Sequence, residues 1–266
     1  MTHASISGQT LQAAADRLYN ALQSGTPCAP VRDLIGLDLD AAYAVQEINA
    51  RRFVEQGRRV VGRKIGLTSL AVQSQLGVNQ PDFGALYADM EFCDGAVVPW
   101  SQTQQPKAEA EIAFILQHDL PSVDTTQSEL VRAIEHVAPA IEIVGSRIEN
   151  WDIRISDTIA DNASSGLFVL GAPYLPIEGL DLIAADMVMT RNGETVSTGN
   201  GAACLGNPLN AGVWLARKCA ELGSPLRAGD IILSGALGPM VEMRPGDSFE
   251  AKISNIGTVR VAISSD

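Results

Sequence analysis

The sequence predicts an α+β fold, with helices first and then a β-rich core of mixed or antiparallel strands. Three observations carry this. Helical apolar spacing fills residues 1–58. Short strands and glycine-rich turns fill residues 59–266. Helices interrupt that second part without alternating regularly with its strands, which argues against a doubly wound parallel sheet. The chain has 266 residues, 46% of them hydrophobic, enough for one large core with the helical segment 1–58 packed on a β-rich part 59–266.

In chain order, Leu11, Leu18 and Leu22 lie at helical spacing, and Gly25 with Pro27 stops that run. Cys-Ala-Pro-Val-Arg-Asp, residues 28–33, reads as a loop. A second helix runs from about Asp40 to Gly57 with Ala41, Val45 and Ile48 on one face. Strands are expected at Val60–Leu67, Ala96–Val98, Ala108–Gln117, Ala140–Val144, Leu167–Leu170, Met187–Arg191, Thr195–Ser197, Ile231–Ser234 and Phe249–Ile253. Thr126-Gln-Ser-Glu129 is a capping box, opening a helix with Leu130, Ile134 and Val137 on one face. Asn207 and Pro208 supply an N-cap and a first-turn proline. The helix they start buries Leu209, Val213, Ala216 and Ala220, and Gly223 ends it.

Composition excludes several function classes. The net charge is −12, and the 19 basic residues form no run longer than Arg-Arg, which argues against nucleic acid and anionic membrane surfaces. No basic-plus-apolar signal opens the chain and no apolar stretch approaches a membrane span, so a cytoplasmic protein is expected. Cys28, Cys93, Cys204 and Cys219 are scattered without a Cys-X-X-Cys pair and read as reduced thiols, not a zinc site. His3 sits at the terminus, His118 in a turn and His136 on the helix expected after Thr126, so histidine chemistry is not expected.

The chemistry concentrates elsewhere. Glu109 and Glu111 stand in the apolar run Ala-Glu-Ala-Glu-Ile-Ala-Phe-Ile-Leu. In a strand, residues i and i+2 share a face, whereas on a helix they diverge. Glu-X-Glu is most often a solvated outer face, but here Ala113 and Ile115 continue the glutamate face as apolar. Glu142, in Ala-Ile-Glu-Ile-Val, repeats the arrangement. Ionised carboxylates in such surroundings need something positive beside them. Three of them from two strands point to an oxygen-ligand site for a hard divalent cation, Mg²⁺ or Mn²⁺.

Lys64 alternates inside a strand with Gly62 and Gly66, whose missing side chains leave room for a ligand, and burial is expected to lower its pKa. The alternative is a surface lysine on an edge strand. Asp82 lies in a turn-rich segment, Gly-Val-Asn-Gln-Pro-Asp-Phe-Gly. Asp161-Asn162-Ala-Ser-Ser-Gly166 and Ser234-Gly-Ala-Leu-Gly238 are loops able to offer N–H groups and hydroxyls to a carboxylate, or ordinary turns. Gly199-Asn-Gly201-Ala-Ala-Cys204 lacks the third glycine and the βαβ setting of a dinucleotide site, and no Gly-X-Ser-X-Gly elbow occurs.

Taken together, Val-Gly-Arg-Lys64-Ile-Gly-Leu-Thr, Gln-Pro-Asp82-Phe-Gly, Glu109-Ala-Glu111-Ile, Glu142-Ile-Val-Gly-Ser-Arg, Ala-Asp-Asn162-Ala-Ser and Ser234-Gly-Ala-Leu-Gly-Pro-Met resemble the 2-keto-4-pentenoate hydratases, a family within the fumarylacetoacetate hydrolase superfamily. The resemblance runs through nearly the whole chain. It implies a mixed β-sandwich or roll core, a divalent metal on Glu109, Glu111 and Glu142, and hydration of 2-hydroxypenta-2,4-dienoate to 4-hydroxy-2-oxopentanoate in aromatic meta-cleavage catabolism. Lys64 and Asp82 would then move protons, and Asn162, Ser164 and Ser234 would orient the substrate carboxylate. It further implies a homo-oligomer, pentameric or decameric, and association with a downstream aldolase or a related decarboxylase. The alternatives are a 4-oxalocrotonate decarboxylase or acylpyruvate hydrolase of the same superfamily, or a non-catalytic partner subunit. Asp82 favours the hydratase, because the decarboxylases carry an apolar residue there.

Overall fold

The first helix, Gly8–Ser24, opens where the Ser7 hydroxyl accepts the Thr10 N–H, and closes at Gly25, which adopts a φ of 69°. Asp38 caps the second long helix, Leu39–Glu55, in the same way. Between them the expected loop contains a helical turn, Arg32–Ile35, pinned by the buried Ile35. Their apolar faces form a small core of Ala14, Ala15, Leu18, Val31, Ile35, Ala41, Ala42 and Val45. That core also takes in Ile148 and, from the short helix Ile155–Ala160, Ile159 and Ala160, so the helical segment is packed beside the site described below. This computed structural model describes residues 6–70, 73–74 and 78–266, so His3 and Gly77 lie outside the described residues.

The rest of the chain builds two mixed sheets. The larger runs, in spatial order, β2 (Asp82–Tyr87), β1 (Val60–Gly66), β10 (Ile231–Leu233), β5 (Lys107–Leu116), β6 (Ile134–Val144), β7 (Leu167–Leu170) and β3 (Glu91–Cys93), with β11 (Val241–Glu242) paired to β5. The smaller runs β4 (Val97–Val98), β13 (Gly257–Ile263), β12 (Ser248–Ile253), β8 (Asp186–Arg191) and β9 (Glu194–Asn200). β1–β10, β3–β7 and β4–β13 are parallel pairs and the other pairs are antiparallel. β12 and β13 pack across β6. The main core includes Tyr87, Phe114, Phe168 and Phe249, each buried. Full burial of such a side chain is worth about 1.5–3 kcal/mol. The expected α+β architecture with an N-terminal helical segment is what the chain adopts.

Several expectations need correction. The capping box does open a helix, Gln127–Ala133, but Ile134 is already extended and begins β6. Ile134 and Val137 therefore belong to a strand, and His136 sits on it half-buried. Pro139, without an N–H, cannot continue a helix, and pairing with the long β5 claims the preceding residues as well. The late helix, Pro208–Glu221, starts under Asn207 as expected. Its buried face is rotated, however, onto Ala211, Leu215, Ala216 and Cys219. Of the turn-rich segment, residues 78–81 lie outside any strand, but Asp82 itself begins strand β2, buried at all six positions. β13 was not anticipated either, although Val259, Val261 and Ile263 alternate inward along it.

Candidate active site

Glu109 and Glu111 share one face of β5, and Glu142 lies directly opposite Glu109 across the β5–β6 ladder. Oxygens of the three carboxylates lie within 4.8 Å of one another. Glu111 and Glu142 are fully buried, while Glu109 still reaches solvent. Like charges set opposite each other on adjacent strands repel. The protein supplies little to offset this. Glu111 Oε2 accepts the Gly235 N–H at 2.8 Å, but among the described residues Glu111 Oε1 and Glu142 Oε1 have no hydrogen-bond partner, and Glu142 Oε2 meets the Lys64 ammonium at 3.4 Å. Burial pushes all three carboxyls up, and mutual repulsion pushes Glu111 further; Glu142 rises to about 7. An all-carboxylate donor set with orphaned oxygens fits a hard divalent cation.

Lys64 reaches this cluster from β1. Its Nζ donates to the Ala163 carbonyl at 2.9 Å and stands 3.4 Å from Glu142 Oε2, an ion pair. The expected fall in its pKa does not occur. Burial pulls the ammonium down, but Glu142, Glu109, Asp82 and Glu111 together outweigh it and hold Lys64 protonated above the ordinary lysine range. The flanking glycines also serve a different purpose from the one expected. A Cβ on Gly62 would strike the Ile231 carbonyl of β10, so that glycine permits strand approach. A Cβ on Gly66 would strike Asp82 Oδ1, so its empty side is filled by the aspartate.

Asp82 is buried opposite Gly66 at the start of β2. Thr158 Oγ1 donates to its Oδ2 at 2.7 Å, and Oδ1 has no partner. Burial raises this carboxyl, against the pull of Lys64 and the Thr158 hydrogen bond.

The loop 161–166 closes the site over Lys64. Asn162, Ala163 and Ser164 have φ of 53°, 52° and 52°, left-handed values that residues with a Cβ rarely adopt. Arg147 holds the loop in that shape. Its Nε donates to Asp161 Oδ1, its Nη2 to the Asp161 carbonyl and its Nη1 to the Ser165 carbonyl. Asn162 donates to the Ala85 carbonyl at 2.9 Å and accepts the Ala85 N–H at 2.7 Å, which occupies both ends of its amide and makes it a brace between loop and β2. The Ser164 hydroxyl is buried without a partner. Ser234 is fully buried, and its hydroxyl makes a long, 3.5 Å contact to the Gly235 carbonyl. Both hydroxyls therefore keep hydrogen-bonding capacity.

Lys64, Asp82 and the three glutamates are thus brought together. The sequence reading missed Thr158, the Ala163 carbonyl and the Arg147–Asp161 pair, whereas the Gly235 N–H belongs to a loop it read as offering N–H groups to a carboxylate, here that of Glu111. The Ala163 carbonyl is a backbone group, which carries no residue signature. Three of the thiols are held protonated by burial, which pushes Cys204 up to about 12 and Cys28 and Cys219 to about 11.

Comparison with known proteins shows the family. Residues 75–264 match the fumarylacetoacetate (FAA) hydrolase C-terminal family model. The chain is 56% identical to a 2-keto-4-pentenoate hydratase of Paraburkholderia xenovorans, over 97% of this chain and 96% of that one. It is 59% identical to the TodF product hydratase of Pseudomonas putida, over 94% of each. Among solved structures, 4-oxalocrotonate decarboxylase from Pseudomonas putida G7, complexed with magnesium and adipate, superposes with a TM-score of 0.94 at 34% identity, covering 98% of this chain and 100% of that one.

Proposed function

The chain belongs to the fumarylacetoacetate hydrolase family and is an enzyme of its hydratase branch, and from that premise we propose how its residues add water to 2-hydroxypenta-2,4-dienoate to give 4-hydroxy-2-oxopentanoate. The observation that carries the proposal is Asp82: a buried carboxyl with one oxygen free, set beside Lys64 and the three-glutamate cluster.

Glu109, Glu111 and Glu142 would hold a divalent cation, Mg²⁺ or Mn²⁺, which when bound supplies Lewis-acid polarisation of the 2-oxo acid end of the substrate. The chain's own residues handle the protons. Hydration requires that the 2-hydroxyl lose its proton as one is delivered to C5 of the dienol, and that water then add at C4, giving up a proton, as C3 gains one. Lys64, held as an ammonium by its carboxylate neighbours, is the donor. Asp82 Oδ1 draws the proton from the attacking water. The Ser164 and Ser234 hydroxyls orient the substrate carboxylate, and Asn162 keeps the loop that carries Ser164 against β2. The same family reading extends to a homo-oligomer of five or ten chains working beside an aldolase or decarboxylase, which sedimentation of the purified protein alone and mixed with those enzymes would test. Among the described residues no helix is long and apolar enough to cross a membrane.

The decisive experiment incubates purified protein and Mg²⁺ or Mn²⁺ with 2-hydroxypenta-2,4-dienoate and identifies the product by NMR, with 4-oxalocrotonate as a parallel substrate. 4-Hydroxy-2-oxopentanoate from the first is expected. Release of CO₂ from the second, with no hydration of the first, would make the chain a decarboxylase instead.

A further inference from the structure

Thr158 lies on the short helix Ile155–Ala160, far in sequence from Asp82, and no motif singles it out. Its hydroxyl is nevertheless the side-chain partner of Asp82, at 2.7 Å from Oδ2. The same Oγ1 lies 3.0 Å from the Ile155 carbonyl, one turn back on its helix. A hydroxyl has one proton and two lone pairs, so it cannot donate to both oxygens at once. It can donate to Asp82 when the carboxyl is ionised. It can go on donating when Oδ1 takes up a proton, because Oδ2 then remains an acceptor. Either way Oδ2 stays satisfied in a buried setting, and Oδ1 is the oxygen left without a partner.

The pairing is fixed from outside as well. Gln46, on the helix Leu39–Glu55, donates from one Nε2 to the Phe83 carbonyl at 2.9 Å and to the Ile159 carbonyl at 2.8 Å. Phe83 follows Asp82 in sequence and Ile159 follows Thr158, so a single side chain of the N-terminal segment ties the two neighbours together. Arg32 adds a second tie through the buried Asp157.

We propose that Thr158 is a positioning residue for Asp82: it holds the carboxyl by Oδ2 and so keeps Oδ1, on the Gly66 and Lys64 side, from rotating away as that oxygen gains and loses a proton. This rests on the reading that Asp82 moves a proton during hydration. A plain structural role for Thr158 would tolerate any side chain of similar volume, so the test compares volume with hydrogen-bonding capacity.

Thr158→Val keeps the shape and removes the hydroxyl, Thr158→Ser keeps the hydroxyl, and Thr158→Ala provides a second hydroxyl-free variant should valine not fold. Turnover, KM and Mn²⁺ affinity by calorimetry are measured for each, beside Asp82→Asn and the double variant Asp82→Asn/Thr158→Val. The expected result is a kcat for valine or alanine lower by about ten- to a hundredfold, the scale of one lost hydrogen bond to a charged group, with KM and Mn²⁺ affinity within about twofold of the parent. Serine should restore kcat, and the double variant should be no slower than Asp82→Asn alone. Parent-like kcat in the valine or alanine variant, failure of serine to rescue, or additive losses in the double variant would overturn the proposal. If Asp82→Asn itself turns over at the parent rate, the underlying reading of Asp82 has failed, a result distinct from all of these.

Discussion

Lys64 is the residue at which charge, burial and geometry meet. It is the cation that the structure places against Glu142, so removing it affects more than catalysis. Lys64→Met should lower turnover by about two orders of magnitude or more, the usual scale for a lost proton donor. It should also destabilise the metal-free protein, because removing one partner of a buried pair leaves the other uncompensated. Mn²⁺ should recover most of that thermal loss but none of the turnover. Measuring both on one preparation separates the roles, and unchanged turnover would remove Lys64 from the site. Asp82→Asn keeps size and hydrogen bonding but loses the ionisable group. Hydration should fall by about a hundredfold or more while Mn²⁺ affinity stays at the parent value. A parent-like rate would make Asp82 a structural residue at the head of β2.

At the scale of elements, the loop 161–166 is held in its left-handed shape by one guanidinium. Arg147→Met keeps the stem and leaves the Asp161 carboxyl buried without its partner, a change worth about 3–5 kcal/mol. The thermal midpoint should drop, and turnover measured well below that midpoint should drop too, because the Ala163 carbonyl would leave Lys64. Normal turnover at low temperature would show that the loop keeps its shape without the clamp. Much of this architecture was legible beforehand and some was not, for physical reasons. The glutamate pair was readable because alternation fixes side-chain faces on any strand, whatever its neighbours. The Thr126 capping box located its helix start because capping is local. Its end was misread because strand pairing with β5, a contact distant in sequence, claims Ile134–Val137. Around Asp82, Pro81 and Gly84 suggested a turn. The glycine is there instead because the Asn162 carbonyl packs where its Cβ would be, an approach that only the folded chain reveals.

For the molecule as a whole, the acid cluster links stability to pH and to cation. Glu142 rises from an ordinary carboxyl value of 4.5 to about 7 in the folded state, and Glu109 and Glu111 also rise. A folded-state pKa above the unfolded one means that the native state binds protons more tightly. The stability this provides is therefore complete below about pH 4.5 and is lost as pH climbs through about 7. A divalent cation bound there would replace those protons and would stabilise only the folded chain. The rise in thermal midpoint on adding Mn²⁺ should thus grow from pH 5 to pH 8. Glu111→Gln, which keeps an acceptor for the Gly235 N–H, should raise the midpoint of the metal-free protein at pH 8 and have little effect near pH 4.5. A Mn²⁺ shift independent of pH would mean that these carboxyls are not the ligands.

The opposition of Glu109 and Glu142 across β5 and β6 also constrains how the protein can come to be folded. Two of the three acids are near neighbours on the unfolded chain, but the third arrives only after the excursion through Gln127–Ala133 has been closed. A slip of one residue in that pairing would turn one strand's carboxylates to the opposite face of the sheet. A mispaired chain would then present at most two of the acids to an ion, and Glu142 and the Glu109/Glu111 pair would each be buried without the other. Ion capture during refolding should consequently lag behind strand formation and report correct registration, so that a stopped-flow Mn²⁺ signal would date the moment at which β5 and β6 lock.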